Sequence, residues 1–142
     1  MAIGFGEHDV RAHKISVAGI PIEGFADDVI TITPTSDHRT TTTGADGHVV
    51  SAKNADEGAT VKLSIMRNTA SSRALWALVA LDRAALGGAG VGAFEMRDVI
   101  NGQVESSERC WIQARPEVTI GKEAPTEEWT LRLAKWRTTV PA

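Results

Sequence analysis

The chain has 142 residues, 42% hydrophobic and 23% charged, which is typical of one globular domain with a substantial buried core. Its net charge of -3 excludes a protein that grips nucleic acid through bulk positive charge. A single cysteine excludes an internal disulfide and a cysteine-only zinc cluster, and no apolar run reaches the roughly 18 residues that span a membrane. We therefore expect one soluble domain over residues 1–142, made in the cytoplasm.

The first third of the chain predicts short strands. Ile15 and Val17 alternate with polar neighbours, and the segment then reaches Ile20-Pro21-Ile22, which predicts a short hairpin or bend. Because Pro21 cannot donate to a ladder of hydrogen bonds, this piece belongs at a sheet edge. The β-branched run from Val29 to Thr33 predicts a strand that ends at Pro34.

Residues 35–59 differ in character. They contain four consecutive threonines and an Asp46-Gly47 turn signal between two weakly apolar arms. This pattern predicts a long polar hairpin. An isolated ribbon of two strands is marginally stable in water, so the hairpin either disorders or lies against another surface.

The middle of the chain predicts a core strand and then a helix. Apolar and polar residues alternate from Thr60 to Met66. Ser71 and Ser72 predict an N-cap, with a helix over 72–86 that stops before Gly87. The glycine run that follows comes after a helix, the wrong order for holding a phosphate, and predicts a flexible connector.

Four further strands complete the predicted elements. Asn101-Gly102 favours a tight type I′ hairpin turn between two of them. In the closing run, Trp129 and Leu131 alternate with polar residues, so we expect Trp129, Leu131 and Leu133 to be buried and Arg132 to face the other way. The whole predicts an α+β fold dominated by antiparallel sheet. The four predicted strands are Ala93–Ile100, Glu105–Ala114, Val118–Ile120 and Glu128–Arg137, the last two joined by a Gly-Lys-Glu turn.

No set of residues predicts an enzyme, a cofactor, a metal site or a small-molecule substrate. The histidines lack the close pairings that zinc sites use, and no Gly-x-Ser-x-Gly nucleophile turn occurs. Cys110 lies in a predicted strand, where a small buried thiol is the ordinary interpretation. The histidines are His8, His13, His38 and His48.

One basic and aromatic pattern could bind single-stranded nucleic acid by stacking and charge. Arg132, Lys135 and Arg137 interleave with Trp129 and Trp136. Acidic residues lie just upstream, however, and tryptophans on a sheet more often fill a core. The pattern therefore favours a core over a specific nucleic-acid site.

Five motifs together carry a resemblance to a known family. In their order and spacing over Lys14 to Trp136, they resemble the tail tube proteins of tailed bacteriophages, particularly those with contractile tails; residues 1–13 have no counterpart. The motifs are Gly24-Phe25-Ala26-Asp27-Asp28 before Val29-Ile30-Thr31-Ile32, Gly44-Ala45-Asp46-Gly47, Trp111-Ile112-Gln113, Val118-Thr119-Ile120-Gly121-Lys122-Glu123, and Glu128-Trp129.

The resemblance implies a structural virion protein. Its fold would be a β-sandwich or half-barrel with a packed helix, completing a β-barrel between subunits in a hexameric ring. Stacked rings would form the hollow tail tube through which tape-measure protein and viral DNA pass, without specific DNA binding. The implied partners are further copies of the chain, a tail sheath if the tail is contractile, and baseplate and tail-terminator proteins. The mild net acidity suits a lumen along which DNA slides.

The resemblance also implies candidate contact residues. The hairpin at 35–59 would reach the adjacent ring. Arg132, Lys122 and Glu123 would contact a neighbouring subunit or the lumen. The hairpin candidates are Arg39, Thr40, Thr41, Thr42, Asp46, His48 and Lys53.

Two alternatives stay open. One is the inner-tube subunit of a related contractile injection system, such as a tailocin or a secretion apparatus. The other, from a different class, is a small β-rich ligand-binding domain, which would need a closed apolar pocket and no self-association.

Overall fold

The computed structural model describes residues 8–23, 25–123 and 125–141, which form ten strands, one α-helix and a single 3-10 turn at Val10–Ala12. The predicted α+β class with mainly antiparallel sheet is confirmed. The helix α1 spans Ala70–Ala84. The strands are β1 His13–Val17, β2 Ile20–Ile22, β3 Phe25–Pro34, β4 Arg39–Thr43, β5 Val49–Lys53, β6 Ala59–Met66, β7 Gly92–Asp98, β8 Val104–Ala114, β9 Thr126–Leu133 and β10 Arg137–Thr139.

Eight strands form one antiparallel sheet. Its order is β2-β1-β7-β8-β9-β6-β3, and β10 pairs with β8. The predicted hairpin at Ile15–Ile22 is confirmed, and its Pro21 lies in β2 at an edge of the sheet, as expected. β3 forms the other edge and begins four residues earlier than the predicted Val29. Strands β4 and β5 make a separate two-stranded sheet.

The predicted strand Glu128–Arg137 is broken in two. β9 and β10 keep one register along β8, since Leu133 lies opposite Cys110 and Arg137 lies opposite Ser106. Between them the chain leaves the ladder, and the Trp136 N–H donates to the Glu57 carbonyl at 2.8 Å. The break therefore connects the closing strand to the residues that precede β6.

The core lies on one face of the sheet. Trp129, Leu131 and Leu133 are fully buried, as predicted, and lie opposite Leu63, Val61 and Ala59 of β6. Residues that alternate with these carry mostly hydroxyl or charged groups, so the sheet has one apolar and one polar face. The buried apolar residues are Ile15, Val17, Ile22, Ala59, Val61, Leu63, Ile65, Leu75, Phe94, Cys110, Trp129, Leu131 and Leu133.

The N-cap prediction for the helix was wrong. Thr69 is the N-cap, because its side chain accepts from the Ser72 N–H at 3.2 Å, and the helix ends at Ala84. Ser71 and Ser72 lie buried in the first turn. Their hydroxyls bond to the sheet instead of the helix backbone, a use that cap statistics do not reveal.

These two serines require a curved sheet. Ser71 Oγ accepts from the Glu23 N–H just after β2 at 2.7 Å, whereas Ser72 Oγ donates to the Glu127 carboxylate of β9. In a flat sheet β2 and β9 would lie about 19 Å apart, four strand spacings. Adjacent residues of one helical turn reach both strands only if the sheet curls around the helix.

The structure differs from the prediction at one hairpin turn and at one strand. The β7–β8 hairpin is present, but Asp98 pairs with Gln103 and the Gly102 N–H donates to the Asp98 carbonyl at 2.8 Å, which makes a four-residue loop. Only Gly102 there has a positive φ, so the tight type I′ turn was wrong. The predicted strand Val118–Ile120 was also wrong, because residues 115–123 run irregularly along the surface.

We expect Glu127→Ala to lower the free energy of unfolding by about 2–4 kcal/mol. The buried carboxylate accepts from Ser72 Oγ and from Trp76 Nε1, the latter at 2.9 Å, and its removal leaves both donors without an acceptor. Urea denaturation measures the change. The matched control is Glu128→Ala, whose exposed carboxylate only pairs with Lys62 at 3.7 Å and should cost under about 0.5 kcal/mol. Equal losses of stability for the two variants would contradict the role of Glu127 in holding the helix against the sheet.

Candidate assembly interface

The predicted polar hairpin is confirmed as the ribbon β4–β5. All ten strand residues are exposed, and no third strand pairs with the ribbon within the described chain. Of the predicted contact residues, Arg39, Thr40, Thr41 and Thr42 lie on β4 and Lys53 lies on β5. The ribbon therefore displays backbone edges and side chains that no other described residue covers.

The two faces of the ribbon differ in charge. Arg39 lies directly opposite Lys53, and Thr41 lies opposite Ser51 on the same face. Arg39 donates to Ser51 Oγ at 3.2 Å, and neither cation has an acidic partner among the described residues. Like charges directly across a ribbon are destabilising. The other face is uncharged and consists of Thr40, Thr42, Val50 and Ala52.

The turn of the ribbon contains the other two predicted contact residues. Asp46 accepts from the His48 N–H at 3.2 Å and pairs with His48 Nδ1 at 2.7 Å. These hydrogen bonds, first the backbone and then the side-chain one, lower the pKa of Asp46. Gly47 has a φ of 87°, a backbone conformation that residues with a side chain rarely adopt. The predicted turn residues therefore match the turn geometry.

Asp56 holds the base of the ribbon. One carboxylate oxygen accepts from Ser36 Oγ and Thr35 Oγ1, both at 2.7 Å, and the other accepts from the Gly58 N–H at 3.0 Å. The hydrogen bonds from Ser36, Thr35 and Gly58, with the nearby charge of Arg132, lower the pKa of Asp56 to about 2. This carboxylate joins the segment that follows β3 to the segment that precedes β6, so the base of the ribbon is ordered.

Arg132 lies half-buried on the polar face of the sheet, between Thr60 and Trp111. Its position opposite Leu131 and Leu133 was predicted. Among the described side chains of this face, basic groups outnumber acidic ones, so the net acidity of the chain does not describe this surface. The basic members are Lys14, Lys62, Arg97, Arg132 and Arg137, and the acidic ones are Glu95 and Glu128.

Lys122 and Glu123 lie far from Arg132, at the other end of the sheet. The ribbon leaves the sheet beside Ala59, which pairs with Leu133, whereas the segment 115–123 enters near Thr126, which pairs with Met66. Both candidates are exposed and line an open cleft of about 680 Å³ beside the start of β9. The structure therefore places the predicted contacts at two opposite ends.

The two tryptophans that would stack on nucleic-acid bases are not freely exposed. Trp129 is fully buried, and Trp136 is half-buried with its Nε1 donating to Glu105 at 2.6 Å.

Cys110 is buried as expected, and burial raises the pKa of its thiol to about 12. The part of the chain that the structure describes contains no group of three or more metal-ligating side chains. No helix in that part is long and apolar enough to span a bilayer.

Sequence reasoning missed three structural carboxylates. Glu127 anchors the helix, Glu105 accepts from Trp136 and Thr138, and Asp56 holds the ribbon. Glu127 gives no local signal, since its donors are 51 and 55 residues away. Glu105 has one local donor, Gln103 at 2.9 Å, but its bonds with Trp136 and Thr138 span 31 and 33 residues. Asp56 does give a local signal, because aspartate two residues before glycine is typical of a side chain that bonds a nearby backbone N–H.

One family model matches most of the chain. Residues 10–139 match the family model described as bacteriophage PhiTE tail tube protein. A search of curated proteins found no match. The fold is similar to the anti-feeding prophage cap, a tube-terminating cap, with a TM-score of 0.69 at 7% identity, covering 99% of this chain and 95% of that one.

Two further solved structures come from an extracellular contractile injection system called PVC. The fold is similar to its sheath/tube terminator in the extended state, with a TM-score of 0.67 at 9% identity, covering 98% of this chain and 100% of that one. It is also similar to a chain of its sheath–tube complex in the extended state, with a TM-score of 0.65 at 10% identity, covering 94% and 91%.

We expect the ribbon to loosen when Asp56 is protonated. Because the pKa of Asp56 is lowered from 3.8 to about 2, its contribution is complete above pH 3.8 and is lost as the pH falls toward 2. Amide hydrogen exchange of residues 39–53, corrected for intrinsic rates, should therefore rise over that range. Asp56→Asn should raise it already at pH 6, whereas Asp37→Asn, an exposed neighbour, should not. Unchanged exchange in Asp56→Asn would remove the role of this carboxylate.

Proposed function

The chain belongs to the PhiTE tail tube protein family, and we propose that it is a structural subunit that polymerises as stacked hexameric rings into a hollow tail tube. The observation that carries this proposal is the β4–β5 ribbon, which is ordered at its base yet is not covered by any other part of the chain that the structure describes. A surface of that kind is consistent with a partner subunit, since an isolated ribbon is marginally stable.

Closure of the ring would use the open edges of the curved sheet. β3 is ten residues long and forms one edge, whereas the other edge is the short strand β2 with Pro21. Open edges present unpaired backbone groups, and a closed ring of subunits removes them. We propose that neighbouring sheets join in this way into a continuous β-barrel that surrounds the lumen.

The proposed tube is a passive conduit and not an enzyme. Tape-measure protein would occupy the lumen first, and viral DNA would pass later without specific binding. The partners would be a sheath in a contractile tail, a baseplate and a tail terminator, all within the virion. The similarity to a chain of a sheath–tube complex supports the contractile assignment and equally supports the tube of a related injection system.

A second candidate is a tube terminator, which caps a tube and does not extend it. Two of the similar structures are terminators, with TM-scores of 0.69 and 0.67. The proposals differ in one property, which is whether the chain stacks on itself. Terminator function would need only one face of the ring to bind a tube.

We expect the purified chain to form stacked rings or long tubes with six-fold symmetry at high concentration. Negative-stain and cryo-electron microscopy measure the symmetry and the length of the particles. Single six-fold rings that never stack would favour the terminator. A monomer under all assembly conditions would contradict both assignments.

Deletion of residues 36–56 should leave a folded subunit that no longer stacks. The fold should tolerate it because Pro34 pairs with Ala59 and the Thr35 N–H donates to the Gly58 carbonyl at 3.1 Å, so a short glycine linker closes the gap. Circular dichroism and urea denaturation check the fold, and microscopy checks stacking. Tubes of normal length from the deleted chain would exclude an inter-ring role for the ribbon.

A further inference from the structure

We propose that the uncharged face of the β4–β5 ribbon packs head to tail on Val118 and Ile120 of a second copy of this chain. The inference rests on the proposed function, because stacked identical rings supply that copy. It assigns one face of the ribbon as the contact face. The face consists of Thr40, Thr42, Val50 and Ala52.

The first support is the position of the two surfaces. The ribbon leaves the sheet at the end where Ala59 pairs with Leu133, and residues 115–123 lie at the end where Met66 pairs with Thr126. Seven residues of strand separate these ends, about 24 Å at 3.4 Å per residue. Two different patches at opposite ends of one subunit make a heterologous contact, which generates an open stack when it repeats.

The second support is the chemistry of the ribbon faces. Val49 and Val50 are nearly equally exposed, at 63% and 65%, but they point to opposite faces. The Val49 face also contains Arg39 and Lys53, which have no acidic partner among the described residues. Burying that face would desolvate two cations, whereas the Val50 face presents methyl groups and two hydroxyls. The Val50 face is therefore the one that can be covered at low cost.

The third support is the apolar pair on the opposite end. Val118 and Ile120 are 54% and 73% exposed, although they belong to a run with the alternation of a strand. Glu117, Thr119 and Gly121 line the cleft beside β9, whereas Val118 and Ile120 are not among its lining residues. The run has a strand pattern but no partner strand within the described residues. An uncharged ribbon face from another copy would cover it.

Single charge insertions test the assignment. We expect Val50→Asp to lower tube assembly at least tenfold, measured by sedimentation and microscopy over a concentration series, since it places a carboxylate in an apolar contact. The matched control Val49→Asp should assemble within twofold of the unsubstituted chain. Both positions are exposed, so urea denaturation should show equal stability for the two variants. Equal assembly by both variants would overturn the inference.

A cross-link tests the partner surface. We expect Val50→Cys with Ile120→Cys to form disulfides between copies upon assembly and mild oxidation, giving a ladder of multimers in a non-reducing gel. Val49→Cys with Ile120→Cys should give at least fivefold less. The native Cys110 is fully buried and should not contribute to the ladder.

The outcomes separate the two proposals. Tubes that form without the Val50–Ile120 cross-link overturn this contact and leave the tube function standing. Absence of tubes, rings and cross-links overturns both. Tubes whose cross-link forms equally from Val49 overturn the choice of face.

Discussion

The fold depends on the first turn of helix α1, where two adjacent serines bond to strands that lie four positions apart in the sheet. Ser71 bonds beside β2, and Ser72 bonds to Glu127 of β9. The sheet consequently curls around the helix, and the buried apolar core lies on its inner side. The outer side is mostly polar, and among the described residues no strand pairs with the outer edge of β2 or of β3. Such a protein has a buried core of its own, but the backbone groups at the edges of its described sheet are unpaired.

The ribbon obeys a different constraint. It has no apolar core, so its position depends on hydrogen bonds at its base. There Asp56 joins residues 35–36, which follow β3, to Gly58, which precedes β6, and the Trp136 N–H donates to the Glu57 carbonyl. Gly58 lies so close to the sheet that a side chain there would come within 3.2 Å of the Leu133 carbonyl oxygen. The base is thus held by these contacts, whereas the strands beyond it are exposed. Such a ribbon loses little conformational entropy when a partner covers it, which favours assembly.

Buried polar groups give this sheet its specificity. Glu127 and Glu105 each accept from one tryptophan indole and one hydroxyl, and Glu105 also accepts from Gln103. Glu127 links β9 to the helix, and Glu105 links β8 to β10 and Trp136. The Trp76 and Trp129 rings meet edge to face with centroids 4.9 Å apart, which adds to the contact between helix and sheet. Buried carboxylates that accept several hydrogen bonds favour one arrangement of the core, because a slip would leave their buried donors unpaired.

Local periodicity and turn chemistry were sufficient to predict the strands with strong alternation, the edge position of Pro21, the polar hairpin with its Asp46-Gly47 turn, and the buried face of β9. The remaining features depend on contacts between distant parts of the chain. Ser71 and Ser72 bond to the sheet and do not cap the helix, because distant strands offer them partners. Val118–Ile120 pairs with none of the described strands. The opposite placement of the ribbon and this segment follows from strand pairing, which depends on residues far apart in the chain.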